Sequence, residues 1–466
     1  MIRAWAADLP SAAISGAGWE RIRGETTQLL RDLIRIPSIN PPDPAGPETD
    51  AARYVAGALA DAGIAAEILE PLEGRGSVAA RLHGDGTGGQ PLLLLSHLDV
   101  VPARGEGWTH DPFEGDLADG YVWGRGAVDM KDMVAMELAV VRQLAAEARA
   151  AGRDPSSDPI PGLRRDVLFC STADEEAGGL AGAGWIVENR PELVTAAGAL
   201  NECGGVSFEV AGRRFYAIGT AEKGYAVFRL RVRGTWGHGS MPRDDNAAVR
   251  ASAIVTRLAE PGPVRMTPVV ERLIDTVAGE LSETAASRLR DLRGDCDPSL
   301  ARALAAIVRD TASPDVIHAG VKYNVIPGEA VIEVDCRTLP GSDGATMEAD
   351  LRRRIGEELW AHVEISSIIE APAVEALASG ELYEICASTL IDHDPDGIPV
   401  AVMAPFATDA KHLARIGVPS YGFSPLRLDP AERFLERFHG TDERVSVDAL
   451  RFGVPVLYDV VRRFCG

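Results

Sequence analysis

The chain has 466 residues, of which 46% are hydrophobic and 25% are charged, so it is long enough for two or three soluble domains. Its net charge of -22 argues against a nucleic-acid partner and against an anionic membrane surface, because both attract basic proteins. The six cysteines are scattered and form no C-x-x-C pair, which is typical of a reducing compartment. The start of the chain is a poor signal peptide and no apolar stretch is long enough for a membrane span, so we expect a cytoplasmic protein.

The first part of the chain alternates predicted helices and strands. Apolar residues at helical spacing predict helices over residues 19–35, 48–63 and 130–150. Short apolar runs predict strands near residues 65–70, 77–83, 91–96 and 166–171. This β–α–β alternation favours a layered α/β domain with a largely parallel sheet.

A different pattern begins near residue 221. Strands are predicted over residues 225–233, 322–325, 330–336 and 361–367, and helices over 245–259 and 345–358. The order β-α-β-β-α-β is the ferredoxin-like pattern. A mainly helical stretch, about residues 262–312, interrupts it, and we expect this stretch to decorate the second domain. The first domain resumes near residue 370, so we predict one domain from residues 1–220 plus 370–466 and an inserted domain over 221–369.

Charged residues follow three of the short apolar segments. The run LLLLSHLDV ends with His97 and Asp99, the run VLFCSTADEE ends with Glu175 and Glu176, and ALNE ends with Glu202. Ligands of open α/β sheets bind beyond the carboxyl ends of the strands. A carboxylate two residues after a histidine can also hold the second N–H group of the imidazole. These segments therefore predict a polar site at one edge of the sheet.

Asp129, just before a predicted helix, and His439, in RFHGTDERV, are two further candidates. Each candidate has a structural alternative when taken singly: a buried His97–Asp99 pair, a helix N-cap at Asp129, solvated loop acids, or a surface histidine. Together, two histidines and several carboxylates without cysteine suit zinc or another borderline divalent ion. Five ligands are too many for one open catalytic zinc, and they suit two ions ~3.5–4 Å apart that share a carboxylate.

Six short strings occur in a fixed order along the chain: SHLDVVP, GRGAVDMKD, DEEAGG, NECGG, GHGSMP and HGTDE. With them the sequence resembles, from about residue 20 to its end, the zinc metallopeptidase family of aminoacylase, glutamate carboxypeptidase, acetylornithine deacetylase and succinyl-diaminopimelate desuccinylase. The resemblance implies an α/β fold, with a zinc-peptidase-like three-layer α/β catalytic domain and an inserted ferredoxin-like (βαββαβ) lid and dimerisation domain. The long helical insert resembles the larger, carboxypeptidase-like members.

The resemblance also implies a set of metal ligands. Asp129 would bridge two zinc ions, with cobalt or manganese as the other candidates. His97 and Glu202 would complete one metal site, and Glu176 and His439 would complete the other. The peptide bond after Asp129 would be cis.

Five further residues receive roles from the same resemblance. Glu175 would be the general base, and Asp99 would be the partner that orients the metal-ligating histidine. His238 of the lid would stabilise the oxyanion, often across a homodimer. Asn324 and Arg337 would hold the backbone and the carboxylate of the substrate.

The implied activity is hydrolysis of an amide bond in a small-molecule substrate, an N-acyl amino acid or a short peptide with a free carboxylate. The string FATDAKHL carries Phe406 and Ala407 where the family usually has glycines, which bears on the shape of the substrate pocket. An aminopeptidase or dipeptidase with the same dimetal centre is the main alternative. A non-catalytic member of the superfamily is a further one, although such proteins usually lose ligands or the base, and all are present here.

Overall fold

The structure is a computed structural model that describes residues 9–40, 48–103, 106–290 and 298–466. Cys296 lies outside these ranges, and the other five cysteines are free thiols. The elements of the first part are α1 (Gly16–Ile34), α2 (Glu48–Asp61), β1 (Ala66–Leu72), β2 (Arg75–Leu82), β3 (Leu92–His97), β4 (Asp116–Ala118), β5 (Tyr121–Trp123), α3 (Lys131–Ala150), β6 (Val167–Thr172), α4 (Ala183–Asn189), β7 (Gly198–Asn201), β8 (Ser207–Val210) and β9 (Arg213–Glu222).

The middle part of the chain begins directly after β9. Its elements are β10 (Gly224–Arg233), β11 (Gly237–His238), α5 (Ala247–Leu258), α6 (Pro268–Gly279), α7 (Glu283–Arg290), α8 (Pro298–Ile307), β12 (Thr311–Ala319), β13 (Val325–Ile326), β14 (Glu329–Thr338), α9 (Gly344–Ile355), α10 (Glu357–Trp360) and β15 (Val363–Ala371). The last part contains β16 (Val374–Glu375), α11 (Glu381–His393), β17 (Ile398–Ala404), α12 (Ala410–Leu413), β18 (Ser420–Gly422), β19 (Arg444–Ser446) and α13 (Val447–Cys465).

A large mixed sheet forms the centre of the first and last parts. Its strand order is β1-β2-β6-β3-β7-β18-β9-β16, and β8 and β17 also pair with β9. Strands β6, β3, β7 and β18 are parallel, whereas β1, β2 and β16 pair antiparallel with their neighbours. The prediction of a largely parallel sheet is therefore right for the centre and wrong for the edges. The turn between β1 and β2 is only two residues long, and so short a connection can join only antiparallel strands.

The four leucines of β3 explain the three layers of this domain. All residues of β3 are buried, and side chains along a strand point alternately to opposite faces. Leu92 and Leu94 join the core formed with α1, α3 and α13, whereas Leu93 and Leu95 join the core formed with α4 and α12. Helices thus cover both faces of the sheet, as the predicted three-layer α/β domain requires.

A second, four-stranded antiparallel sheet confirms the ferredoxin-like prediction. Its order is β12-β14-β10-β15, and α5 and α9 pack on one of its faces. The second strand of the motif is β12, not the predicted strand over 322–325, where only the short β13 pairs with β11. Pro314 and the shift in pairing that follows it interrupt the alternating pattern from which a strand is predicted. Proline is tolerated mainly at sheet edges, and β12 is an edge strand.

From the sequence we expected the inserted helices α6, α7 and α8 to decorate the second domain. In the structure they pack on the large sheet instead. Their apolar faces join a core with β8, β9 and β17 of the large sheet, whereas the core of the second sheet contains none of them. An amphipathic helix needs only some apolar surface to cover, so its pattern does not say which sheet supplies that surface. The predicted domain boundaries themselves stay a prediction. No helix in the described ranges is long and apolar enough to cross a bilayer.

Candidate metal centre

The parallel centre of the sheet brings three of the predicted segments to one edge. His97 is the last residue of β3, Glu175 and Glu176 form a turn just after β6, and Glu202 directly follows β7. Strands β6, β3 and β7 are parallel neighbours, so their carboxyl ends lie side by side. Asp129 comes two residues before α3, and the Asp129–Met130 peptide bond is cis.

Asp129 lies between the two histidines. Its Oδ1 atom is 3.3 Å from Nε2 of His97, and its Oδ2 atom is 3.2 Å from Nε2 of His439. Glu202 Oε2 lies 3.8 Å from Nε2 of His97, and Glu176 Oε2 lies 3.3 Å from Nε2 of His439. One carboxylate therefore faces two imidazoles, and each imidazole has one further acid beside it.

Glu175 lies close enough to the cluster to take either of two roles. The ligand atoms of His97, Glu175 and Glu202 all lie within 4.8 Å of one another, as do those of His97, Asp129 and Glu176. By distance alone, Glu175 is therefore a possible ligand as well as a possible base. Its assignment as the base stays a prediction.

The charges of this cluster fit a divalent cation. Burial works to raise the pKa of Asp129, but hydrogen bonds from His439 and His97 hold it below its ordinary value. Burial raises the pKa of Glu176 to about 7, and hydrogen bonds to Asp129 and Glu176 raise the pKa of His439 to about 10. Oε1 of Glu176 is buried and has no hydrogen-bond partner among the residues that the structure describes. The imidazole nitrogens and carboxylate oxygens form a donor set that suits zinc, cobalt or manganese.

Asp99 organises both sides of the cluster. Nδ1 of His97 lies 3.0 Å from the carbonyl oxygen of Asp99 and 3.4 Å from its carboxylate, so Nδ1–H donates there and Nε2 carries the lone pair that could bind a metal. The Asp99 carboxylate also accepts the backbone N–H groups of Glu175 and Glu176 at 3.2 and 3.0 Å. Asn40, which the sequence analysis did not identify, donates to the same carboxylate at 2.8 Å.

A buried ion pair joins the two segments that carry Asp129 and His439. Nη1 of Arg125 lies 2.5 Å from Oε2 of Glu443, and the two side chains are 4% and 0% exposed. Oε1 of Glu443 accepts the backbone N–H of Val128 at 2.9 Å, and Arg125 donates to the carbonyl oxygen of His439 at 3.3 Å. The strings GRGAVDMKD and HGTDE contain both residues, but nothing in the strings shows that they pair.

Lys411 is another residue that the sequence analysis missed. Its side chain is 4% exposed, and Nζ lies 3.3 Å from Oε1 of Glu175 and 3.9 Å from Oδ1 of Asp409. Nζ also donates to the carbonyl oxygen of Thr408 at 3.0 Å. A buried cation thus sits directly beside the predicted base.

Backbone strain is concentrated in the turns that carry these side chains. Asp174, Cys203 and His439 have φ angles of 69°, 68° and 57°, in the left-handed region that non-glycine residues rarely adopt. Each such residue costs about 1–3 kcal/mol, and such conformations cluster at functional sites. The strain agrees with a site whose side-chain directions are dictated by function.

The three predicted lid residues are not all brought to the cluster. His238 is exposed, and the hydrogen bonds of its side chain to the described part of the chain are local, with Nδ1 accepting from the hydroxyl of Ser240 at 2.8 Å. Asn324 is its neighbour, because its carbonyl oxygen accepts the N–H group of Gly239 at 2.9 Å. Oδ1 of Asn324 is buried, and no residue in the described ranges forms a hydrogen bond with it.

Arg337 lies beside Tyr225, on which the charge of the predicted base also acts. Its guanidinium pairs with Asp335 at 2.8 Å and lies over the ring of Tyr225, 5.6 Å from the centroid. Burial raises the pKa of Tyr225. The positive charge of Lys411 lowers this pKa, and the negative charge of Glu175 raises it. Tyr225 is therefore close to both Arg337 and the Glu175–Lys411 pair.

Known proteins resemble this chain along nearly its whole length. It is 28% identical over 386 residues to a probable carboxypeptidase S-like 2 of Dictyostelium discoideum, which covers 80% of this chain and 71% of that protein. It is 28% identical over 470 residues to the N-fatty-acyl-amino acid synthase/hydrolase PM20D1 of Xenopus tropicalis, with 95% and 86% covered. It is 26% identical over 441 residues to aminoacylase-1 of Sus scrofa, with 92% of each covered.

Solved structures share the fold. An M20 family metallo-carboxypeptidase from Sulfolobus solfataricus superposes with a TM-score of 0.71 at 16% identity, covering 94% of this chain and 99% of that one. Human carnosine dipeptidase 1 superposes with a TM-score of 0.70 at 17% identity, covering 96% and 98%. The model of peptidase family M20/M25/M40 matches residues 93–463. The chain therefore belongs to peptidase family M20/M25/M40, and it is a metal-dependent hydrolase.

Proposed function

We propose that this enzyme is a dinuclear zinc hydrolase that cleaves the amide bond of an N-acyl amino acid or of a short peptide with a free carboxylate. The observation that carries the proposal is the position of Asp129, whose two oxygen atoms face His97 and His439. A bridging carboxylate with an imidazole on each side is the arrangement that two ions sharing one ligand need. The relatives named as aminoacylase and N-fatty-acyl-amino acid hydrolase support the substrate class.

In this proposal each ion has its own pair of ligands besides Asp129. His97 and Glu202 would hold one ion, and Glu176 and His439 would hold the other. When bound, zinc supplies Lewis acidity and lowers the pKa of water. The contacts of Asp99 and of the Arg125–Glu443 pair keep the ligands in place, as the outer partners of metal ligands do.

Glu175 would carry the proton. Burial raises its pKa well above the ordinary value, although Lys411 acts in the opposite direction. A carboxylate tuned in this way takes a proton from the attacking water and returns it to the leaving amine. Lys411, 3.3 Å away, orients the carboxylate and favours its charged form.

Arg337, Asn324 and His238 would bind the substrate from the lid. A substrate carboxylate would replace Asp335 as the partner of the Arg337 guanidinium, because such pairs form two parallel hydrogen bonds. Asn324 would donate to the substrate backbone. His238 would stabilise the developing oxyanion, either after a lid movement or from a second copy of the chain.

We further propose that the enzyme forms a homodimer through the lid. Large apolar side chains are exposed around His238 and Asn324, namely Trp236 (56%), Met241 (67%), Val321 (84%) and Tyr323 (96%). Apolar patches of this kind mark interaction sites. Size-exclusion chromatography with light scattering tests the proposal, and a monomeric mass for the native enzyme would contradict it.

The variant Glu175→Gln tests the proposed reaction. We expect the purified variant to keep both zinc ions by mass spectrometry and to lose about 10²–10⁴-fold in kcat. Glu348→Gln, an exposed glutamate on α9, is the matched control and should behave as the wild type. An unchanged rate in Glu175→Gln would rule out the base, and loss of one ion would show that Glu175 is a ligand.

A substrate panel separates the proposal from the aminopeptidase alternative. It contains N-acyl amino acids, free dipeptides, and the same dipeptides with an amidated carboxyl end. If Arg337 binds the carboxylate of the substrate, amidation of that carboxylate should abolish turnover, because the bidentate ion pair between the two groups is lost. Equal turnover of free and amidated dipeptides, with no turnover of N-acyl amino acids, would favour an aminopeptidase instead.

A further inference from the structure

The lid contacts the turn of the predicted base through Tyr225. This residue lies near the start of β10, the first strand of the lid sheet. Gly178 ends the turn that begins with Glu175. A Cβ atom at Gly178 would lie 3.6 Å from both the hydroxyl oxygen of Tyr225 and Cδ1 of Ile369, on β15. The phenol of a lid residue therefore lies directly against the segment that carries Glu175.

Tyr225 and Arg337 are neighbours across the lid sheet. They stand opposite each other on the antiparallel strands β10 and β14, so their side chains share one face of the sheet. The next residue of β10, Ala226, joins the core with α5 and α9, so Tyr225 points to the other face. The guanidinium carbon of Arg337 lies 5.6 Å from the centre of the Tyr225 ring, within the range of a cation–π contact. The phenol and the guanidinium therefore lie side by side on the face turned away from these helices.

The hydroxyl group of Tyr225 is a hydrogen-bond donor without an acceptor. The side chain is partly buried, and no residue in the described ranges forms a hydrogen bond with its hydroxyl. Burial raises the pKa of Tyr225 above its ordinary value, so the group keeps its proton at neutral pH. The O–H group of a buried tyrosine usually has a hydrogen-bond partner. An acceptor on a bound ligand would complete this group.

The cationic donors near this hydroxyl already have acceptors. The charges of Lys411 and Arg337 both act on Tyr225, so the three side chains lie in one region. Nζ of Lys411 lies 3.3 Å from Glu175, and the guanidinium of Arg337 donates to both carboxylate oxygens of Asp335 at 2.8 and 2.9 Å. A carboxylate offers about four lone-pair sites, and one guanidinium fork fills two of them. A substrate carboxylate that displaces Asp335 from Arg337 therefore needs a further donor, which the Tyr225 hydroxyl can supply.

We propose that Tyr225 is a substrate-binding residue, whose hydroxyl donates a hydrogen bond to the free carboxylate of the substrate beside the guanidinium of Arg337. The inference rests on the proposed hydrolysis of substrates that carry a free carboxylate, and it adds a residue that selects for that group. Tyr225 lies beside Arg337 and also against the turn of Glu175. It therefore holds the substrate carboxylate at a fixed distance from the amide bond that is cleaved.

The variant Tyr225→Phe removes the hydroxyl and keeps the ring beside the Arg337 guanidinium. Its substrate is the member of the panel that the wild-type enzyme hydrolyses best. The carboxylate keeps its charge during the reaction, so its hydrogen bond is equally strong in the ground state and in the transition state. We therefore expect KM to rise by about 10–100-fold, the contribution of a hydrogen bond to a charged group, with kcat unchanged. A loss in kcat at unchanged KM would place the hydroxyl at the reacting bond and overturn the proposal, as would wild-type values of both.

Tyr458→Phe, on α13, is the matched control. The guanidinium carbon of Arg462 lies 5.7 Å from the centre of its ring, so this tyrosine also has an arginine beside it. Its hydroxyl donates to Glu147, near the end of α3 and roughly 24 Å along that helix from Lys131 at its start. We expect kcat and KM of this variant to equal those of the wild type. An equal rise of KM in both variants would show a general effect of losing a phenol oxygen and would overturn the assignment.

Binding without turnover separates this inference from the proposed function. The N-acyl amino acids and dipeptides of the panel, each with a free and with an amidated carboxyl end, are titrated by calorimetry into the zinc-loaded Glu175→Gln enzyme. We expect a free carboxylate to bind at least ten-fold tighter than its amide, and this ratio to fall by about ten-fold or more when Tyr225→Phe is added. That fall supports the inference even when the wild-type enzyme hydrolyses no member of the panel. Equal binding of every acid and its amide, or a ratio that Tyr225→Phe leaves unchanged, overturns it even when hydrolysis is observed.

Discussion

Replacing Arg125 with methionine removes the cation from the buried ion pair that joins the two segments carrying the predicted ligands Asp129 and His439. Glu443 is fully buried, and its carboxylate would then lack the guanidinium that lies 2.5 Å away. At an effective dielectric constant of about 20, two unit charges ~4 Å apart interact by about 4 kcal/mol. Breaking a buried pair by removing one partner costs about 3–5 kcal/mol, because the other charge stays buried. We therefore expect the free energy of unfolding to fall by that amount.

The same variant should weaken metal binding. Arg125 donates to the carbonyl oxygen of His439, and Glu443 accepts the N–H groups of Val128 and Asp129. Loss of such outer contacts typically lowers metal affinity by about 10–100-fold. Denaturant titration measures the stability, and competition with a chelator measures the zinc affinity.

Two controls make this prediction sharp. Arg190→Met breaks an ion pair with Glu67 whose side chains are 33% and 50% exposed, and exposed pairs contribute about 0–1 kcal/mol. The double variant Arg125→Met with Glu443→Gln should recover part of the lost stability, because no unpaired charge remains. If Arg125→Met is no less stable than Arg190→Met and binds zinc like the wild type, the reasoning is refuted.

Three further predictions concern the base, a buried acid and the metal. Lys411→Met removes the cation beside Glu175 and should therefore raise the pKa of that carboxyl group. The acidic limb of the pH profile of kcat/KM should then move up by about 1–3 pH units at unchanged zinc content. An acidic limb at the wild-type pH would contradict the role of Lys411. Burial raises the pKa of Glu137 well above its ordinary value, so the folded protein binds a proton that the unfolded chain loses at lower pH. The free energy of unfolding should therefore fall as pH rises from about 5 toward the raised pKa, by up to about 1.4 kcal/mol per pH unit, and denaturant titrations at several pH values should show a flatter dependence in Glu137→Gln; equal slopes would disprove this. Removal of zinc by a chelator should lower Tm, since a ligand at 1,000 times its Kd stabilises by about 4 kcal/mol; an identical Tm before and after chelation would mean that the cluster binds no ion.

Sequence patterns predicted the elements whose burial is regular. The leucines of β3 and the apolar run of β6 read as buried strands, and the alternation in β10 read as a strand with one exposed face. The edge strand β12 was missed because Pro314 and Asp315 interrupt its alternation. The position of α6–α8 was missed because amphipathic helices can cover any apolar surface.

The candidate ligands could be predicted for a similar reason. Histidine and acids directly after buried strands have few structural explanations once several of them occur together. Arg125, Lys411 and Asn40 have no such signal, because their roles depend on partners far along the chain. Glu443 is 318 residues from Arg125, and Glu175 is 236 residues from Lys411.

The sequence by itself determined the fold class and the family and suggested the candidate metal ligands, because these depend on local periodicity and on residue types at strand ends. Only the tertiary structure decided which acid faces which histidine, since side-chain distances depend on the pairing of β6, β3 and β7. It also decided that the inserted helices cover the large sheet. Packing between distant segments is a property of the whole chain, and no local pattern encodes it.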